Sequence, residues 1–259
     1  MPGIPRPNAV LFDMDGTLVD TERLWQQAVE EEARRLGLVL GDADVAFVRG
    51  RAIEDCAAYL VRLADGSTDP LRLGASLGAR FAELVRGRVV PLPGALELLA
   101  ALRTAGVPTA LVSASPRPVV DTVLDALGRH WFTTSVAEGE TPRTKPAPDP
   151  YRAAVAALGL APGACVAVED TPTGVASAEA AGCAVVAVPS LTPIPPGPRR
   201  RVARSLLDVD LALLGSLAPG EWSVPGEGDG PGEGDGPGEG DGPGEEGAGR
   251  AGKTRREGG

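Results

Sequence analysis

The chain has 259 residues, is 43% apolar but only 3% aromatic, and carries a formal charge of −10. That length holds one large domain or two smaller ones, with a core built from Ala, Val and Leu. No apolar run is long enough to cross a bilayer, and the acidic balance weighs against nucleic-acid partners, so neither membrane nor nucleic acid is expected. The charge is uneven: from Gly220 onward ten acidic residues face four basic ones. The rest is only mildly acidic, which leaves an anionic small substrate open. The N-terminus MPGIPRPNAV lacks the charged-then-apolar plan of a signal peptide. Cys56, Cys165 and Cys183 have no metal-ligand spacing and read as small core residues in a reducing compartment, so a cytoplasmic protein is expected.

In chain order, AVLFDMDGTLVD opens with a buried-strand run, Ala9 to Phe12, that delivers Asp13 and Asp15 at its end. Residues 21 to about 86 then read as helices. Trp25, Ala28, Val29 and Leu36 recur at helical spacing before Gly37; Ile53, Cys56, Ala57, Leu60 and Val61 share a face before Gly66. A third helix starts at Asp69-Pro70, with Leu77, Phe81, Leu84 and Val85 in its stripe. From about Pro91, helical segments (GALELLAALRTAG, PVVDTVLDALG, DPYRAAVAALG, TGVASAEAAG) alternate with apolar runs (TALVSAS, CVAVED, AVVAVPS). That alternation predicts a parallel sheet covered on both faces, an α/β core split by a helical insert. The expected layout is a core of residues 1–19 and 90–215, an insert of 20–89 and a disordered tail of 216–259, where PGEGDG repeats in tandem from Pro225 to Gly242.

In an open α/β sheet, ligands bind beyond the carboxyl ends of the strands. Asp13 and Asp15, Ser113, and the pair Glu169 and Asp170 all end apolar runs there, and Lys145 in TKPAPDP precedes a helix starting at Asp149-Pro150. Carboxylates gathered so closely repel one another unless a cation intervenes, and oxygen-only ligands favour a hard ion such as Mg²⁺. Ser115 is read as the cap of the helix after Ser113, with Thr171 and Thr173 available to cap the helix after Asp170.

DMDGT, the Ser113 strand end, Lys145 and VEDTPTG together resemble, in order and spacing, the haloacid dehalogenase superfamily over roughly residues 8 to 190, and the insert looks like the helical cap of its sugar-phosphatase and β-phosphoglucomutase branch. The resemblance implies a Rossmann-like core and a Mg²⁺-dependent phosphatase acting on a small phosphorylated metabolite through an aspartyl-phosphate. Asp13 would be the nucleophile and Asp15 the general acid and base. Asp13, the Asp15 carbonyl, Asp170 and Glu169 would hold Mg²⁺; Ser113, Ala114, Lys145 and a backbone N–H exposed by Gly16 would meet the phosphate. The alternative is a sugar phosphomutase. Mutases of the branch carry a histidine on the first cap helix where this chain has Trp25, and an arginine where it has Ile53. These departures favour the phosphatase. The lone His130 is expected in a surface or partly buried structural role, Arg49 and Arg51 flank Gly50 in a loop that could meet substrate, and hinges are expected near Val19-Asp20 and Arg88-Pro91. Nothing in the sequence sets the oligomeric state, and a monomer is compatible with it.

Overall fold

Strand β1 (Ala9–Phe12) is buried along its whole length, and its alternate residues feed two different cores. The computed structural model describes residues 6–49 and 51–217, so Gly50 and the PGEGDG repeats lie outside the described residues. After β1 come four helices, α1 (Glu22–Arg35), α2 (Asp42–Val48), α3 (Ile53–Ala64) and α4 (Pro70–Val85). The chain continues through α5 (Ala95–Thr104), β2 (Thr109–Val112), α6 (Arg117–Leu127) and β3 (Thr134–Val136). Next are α7 (Asp149–Ala157), β4 (Cys165–Glu169), α8 (Pro172–Ala181), β5 (Ala184–Ala187), β6 (Arg200–Val202) and α9 (Leu211–Leu217). Because α9 runs to Leu217, the expected tail boundary at residue 216 falls two residues early.

The six strands form one parallel sheet in the order β3-β2-β1-β4-β5-β6. Strand order reverses beside β1, and that reversal opens a crevice at the carboxyl ends of β1 and β4. On one face, Val10 and Phe12 pack with α5, α6 and the inserted helices. On the other, Ala9 and Leu11 pack with Tyr151 and Ala154 of α7 and Val175 and Ala178 of α8. Each fully buried Val, Leu or Phe contributes about 1.5–3 kcal/mol, so these two faces supply much of the driving force.

Three of the four inserted helices, α1, α3 and α4, lie where the spacing predicts, and α2 is an additional one. Trp25, Ala28, Val29 and Ala33 of α1 are buried toward the stripe of α4, where Leu77, Phe81 and Val85 lie. Asp69 caps α4 through Leu71 N (3.0 Å). Trp25 meets Phe81 edge to face with centroids 5.4 Å apart, and its Nε1 donates to Val48 O. The two strands of chain joining insert to sheet run side by side: Asp20 N donates to Val90 O (3.0 Å) and Leu92 N to Leu18 O (2.8 Å). His130 is exposed, its ring tilted against Trp131 with centroids 4.3 Å apart. Among the described residues, no helix is long and apolar enough to cross a membrane.

Candidate active site

Four carboxyl groups converge where β1 and β4 end. Asp13 follows β1 directly, pinned by its own N–H to Val168 O (3.0 Å), and Asp170 follows β4. Asp13, Glu169 and Asp170 each present a carboxylate oxygen within 4.8 Å of the others, all buried. Among the described residues, Lys145 is the only buried basic side chain. Its Nζ donates to Asp13 Oδ1 (2.7 Å), Glu169 Oε1 (2.6 Å) and Val112 O (2.9 Å), which uses all three of its protons. Burial alone would lower the Lys145 pKa, but the facing Asp13 and Glu169 carboxylates outweigh that and raise it.

Asp15 is held separately. Its Oδ1 accepts from Thr21 Oγ1, and its Oδ2 from Ser115 Oγ (2.8 Å) and Ser113 Oγ (3.3 Å). Burial raises its pKa, with those three hydroxyls opposing. Asp13 is raised well above the usual carboxylate range, chiefly by burial, with Lys145 pulling the other way. Asp170 is pushed up to about 7 by burial first and the neighbouring Glu169 second, while Ser190 Oγ and Thr17 Oγ1 donate to it. A fully buried Tyr151 donates to Glu169 Oε1 (2.7 Å), and Lys145 Nζ sits 5.1 Å from its ring centroid.

Two readings of the sequence change here, those of Gly16 and Ser115. Gly16 does not turn its N–H to the cleft; that N–H donates to Val19 O (2.9 Å). The residue is glycine because its φ is +81° and an added Cβ would collide with the Asp170 carboxylate. Ser115 does not cap α6, whose N-cap is Pro116 with no side-chain bond; its hydroxyl serves Asp15. Glu169 sits among the acidic cluster, yet Oε1 accepts from Lys145 and Tyr151 and Oε2 from Asp170 N (3.2 Å) and Thr171 Oγ1 (3.4 Å). Thr171 caps α8 through Gly174 N, as expected, and a Cβ on Gly174 would strike the Glu169 carboxylate. Thr21, Ser115, Tyr151 and Ser190 were invisible as site residues in the sequence, since isolated hydroxyls carry no pattern of their own.

The residues fit a hard divalent cation. They offer oxygen donors only, they crowd three buried carboxylates together, and their one lysine is fully committed. Above them a cleft is floored by Asp13, Asp15, Ala114, Ser115, Lys145 and Asp170, and roofed by Glu22, Trp25, Arg51, Ile53 and Phe81 from the inserted helices. Arg49 instead lies against Glu22, its Nε 3.5 Å from Oε1.

A family model for haloacid dehalogenase-like hydrolases matches residues 7–182. The chain belongs to this family. Among similar proteins, hexitol phosphatase A of Escherichia coli is 36% identical over 197 residues, covering 73% of this chain and 87% of that one. Protein CbbY of Rhodobacter capsulatus is 34% identical over 193 residues, covering 70% and 85%. The crystal structure of CbbY from Rhodobacter sphaeroides in complex with phosphate superposes with a TM-score of 0.69 at 26% identity, covering 78% of this chain and 96% of that one. This haloacid dehalogenase-like hydrolase is thus matched over most of the length of these relatives.

Proposed function

We propose that the chain is a Mg²⁺-dependent phosphatase that hydrolyses a small phosphomonoester, a sugar or polyol phosphate, through an aspartyl-phosphate on Asp13. The observation that carries this reading is the convergence of Asp13, Asp15, Lys145 and Asp170 on one cleft, from three separate parts of the chain. The likeness to a hexitol phosphatase and to a phosphate-bound CbbY supports the substrate class.

A carboxylate oxygen of Asp13 attacks phosphorus, and the bond from phosphorus to the ester oxygen breaks. Asp15, whose burial favours its protonated form, gives its proton to the departing alcohol oxygen. Water then attacks the phosphorus of the aspartyl-phosphate while the Asp15 carboxylate accepts its proton, and the bond to Asp13 breaks to release inorganic phosphate. Ser113 and the Ala114 main chain face the phosphoryl oxygens, and Lys145 keeps Asp13 oriented and offsets its charge. Asp13, Asp170 and the Asp15 carbonyl would hold Mg²⁺, with Glu169 reaching it directly or through water. When bound, the ion supplies positive charge that lets an anionic nucleophile approach an anionic ester. Residues 20–89 act as a cap over residues 1–19 and 90–215, closing on the hydrogen-bonded pair of linkers at Val19-Asp20 and Arg88-Pro91.

Phosphate release with Mg²⁺ from a panel of sugar and polyol phosphates tests the proposal. Asp13→Asn should lose on the order of 10³-fold or more in kcat. Full activity in that variant would overturn the mechanism, and phosphorus NMR showing interconversion of glucose phosphates without phosphate release would make the enzyme a mutase.

A further inference from the structure

Glu54 and Glu138 bring two carboxyl groups together across the boundary between insert and core. Glu54 lies in the first turn of α3 and Glu138 in the loop after β3. Both line a groove walled by α3 and α4 on one side and by the start of α6 on the other. The groove is separate from the catalytic cleft, although Ile53 borders both. Insert and core approach closely there: a Cβ added to Gly78 of α4 would lie 3.4 Å from Pro116 Cγ.

No basic group offsets the pair. Arg117 is the one basic residue lining the groove, and it is committed elsewhere: its Nε donates to Glu140 Oε1 (2.7 Å), another of its nitrogens donates to Ser135 Oγ (2.8 Å), and Asp121 lies 3.7 Å away. The lining residues of α4 are all uncharged, and the first turn of α3 adds only another acid, Asp55. Two ionised carboxylates so placed repel each other, whereas one proton between them makes a charge-assisted hydrogen bond. Burial first, and Glu54 second, push the Glu138 carboxyl up to about 8. Glu138 is half-buried and Glu54 exposed, so the proton can exchange with solvent.

The core end of the pair is tied to the catalytic residues. Glu138 N donates to Ser115 O (3.0 Å), and Ser115 Oγ donates to Asp15 (2.8 Å). Glu140 pins the same loop by accepting from Ala137 N (2.9 Å). The loop that meets the insert therefore also steadies the segment that holds Asp15.

Resting on the cap role of residues 20–89 stated above, we propose that Glu54 and Glu138 form a proton-operated latch, in which a proton shared between them holds the cap closed over the cleft and its loss sets two carboxylates against each other and opens it. Closing takes up one proton from solvent, and opening returns it.

Trp25 lines the cleft and is 7% exposed, so acrylamide quenching of its fluorescence reports opening once Trp131 and Trp222 are replaced by phenylalanine in the full chain. With Glu138 at about 8 when closed and at the ordinary 4.5 when open, linkage lowers the closed-to-open ratio roughly 100-fold between pH 6 and pH 9. The quenching constant of this parent should therefore rise at least about twofold over that range. Glu138→Gln donates from its amide to Glu54 without a titrating proton, and should hold the parent's low-pH value throughout. Glu138→Ala should be flat, and more quenched at pH 6 than the parent. A parent that stays flat from pH 6 to pH 9, or a Glu138→Gln variant that follows the parent's rise, would overturn the latch. Quenching needs no turnover, so either result leaves the phosphatase reading intact; a pH-dependent rise in a protein that releases phosphate from no substrate would overturn that reading and not the latch.

Discussion

Replacing Tyr151 by phenylalanine removes one oxygen from beneath the catalytic cluster and nothing else. The Tyr151 hydroxyl donates to Glu169 Oε1 at 2.7 Å, and neither residue has any exposed surface, so solvent cannot take over the lost bond. A hydrogen bond to a charged group is worth about 1.5–3 kcal/mol. Lys145, Asp170 N and Thr171 still donate to Glu169, so the carboxylate is not orphaned and a value of about 2 kcal/mol follows. For a domain of this size that is a fall of about 4–8 °C in Tm by calorimetry of the full chain. Activity should suffer less. Lys145 keeps its bonds to Asp13 and to Val112 O, so the nucleophile stays in place and kcat should drop by less than about tenfold, with KM unchanged. A Tm within 1 °C of wild type would refute the claim that Tyr151 restrains Glu169. A thousandfold loss of kcat with normal melting would mean that Tyr151 touches the reacting groups directly.

Lys145→Met removes the one charge that faces both Asp13 and Glu169, leaving buried carboxylates opposed. The metal-free protein should lose about 3–5 kcal/mol in urea unfolding, and kcat about 10²- to 10³-fold; a variant that unfolds with wild type would contradict the geometry. Glu138, in the loop after β3, is pushed up to about 8 by burial first and then by the neighbouring Glu54 carboxyl of α3. The folded chain therefore binds this proton more tightly than the unfolded one, so the contribution is full below the ordinary value of 4.5 and lost as pH rises through about 8. Glu138→Gln should remove that decline, and a difference in Tm between wild type and variant that stays flat from pH 5 to 8 would rule it out.

What the sequence made legible follows from what burial does to composition. β1, β4 and β5 lie in the interior of a parallel sheet and are buried along their length, so they read as plain apolar runs. β3 and β6 are three-residue edge strands, TSV and RRV, whose exposed sides carry hydroxyls and arginines, and nothing in them announces a strand. The short α2, DADVAFV, buries only Val48 and leaves no stripe to detect. In the site the same contrast holds. Acidic residues ending apolar runs stand out because charge at a buried edge is costly without a purpose. Thr21, Ser115 and Tyr151 do not, because their role exists only through a partner elsewhere in the chain: Ser115 is 100 positions from Asp15. Gly16 shows a third case, since a glycine after a strand fits a phosphate-facing amide and a steric slot for Asp170 equally well, and only coordinates separate them.

The site's charge imbalance links its stability to cation binding. Asp13, Asp15 and Asp170 are all raised by burial, so each ionised carboxylate works against the folded state in the absence of a compensating cation. An apolar replacement would be more stable, and a single committed lysine is far from enough to neutralise the group. The same shortage of positive charge would favour a hard divalent cation at the cleft floor, as the proposed phosphatase requires.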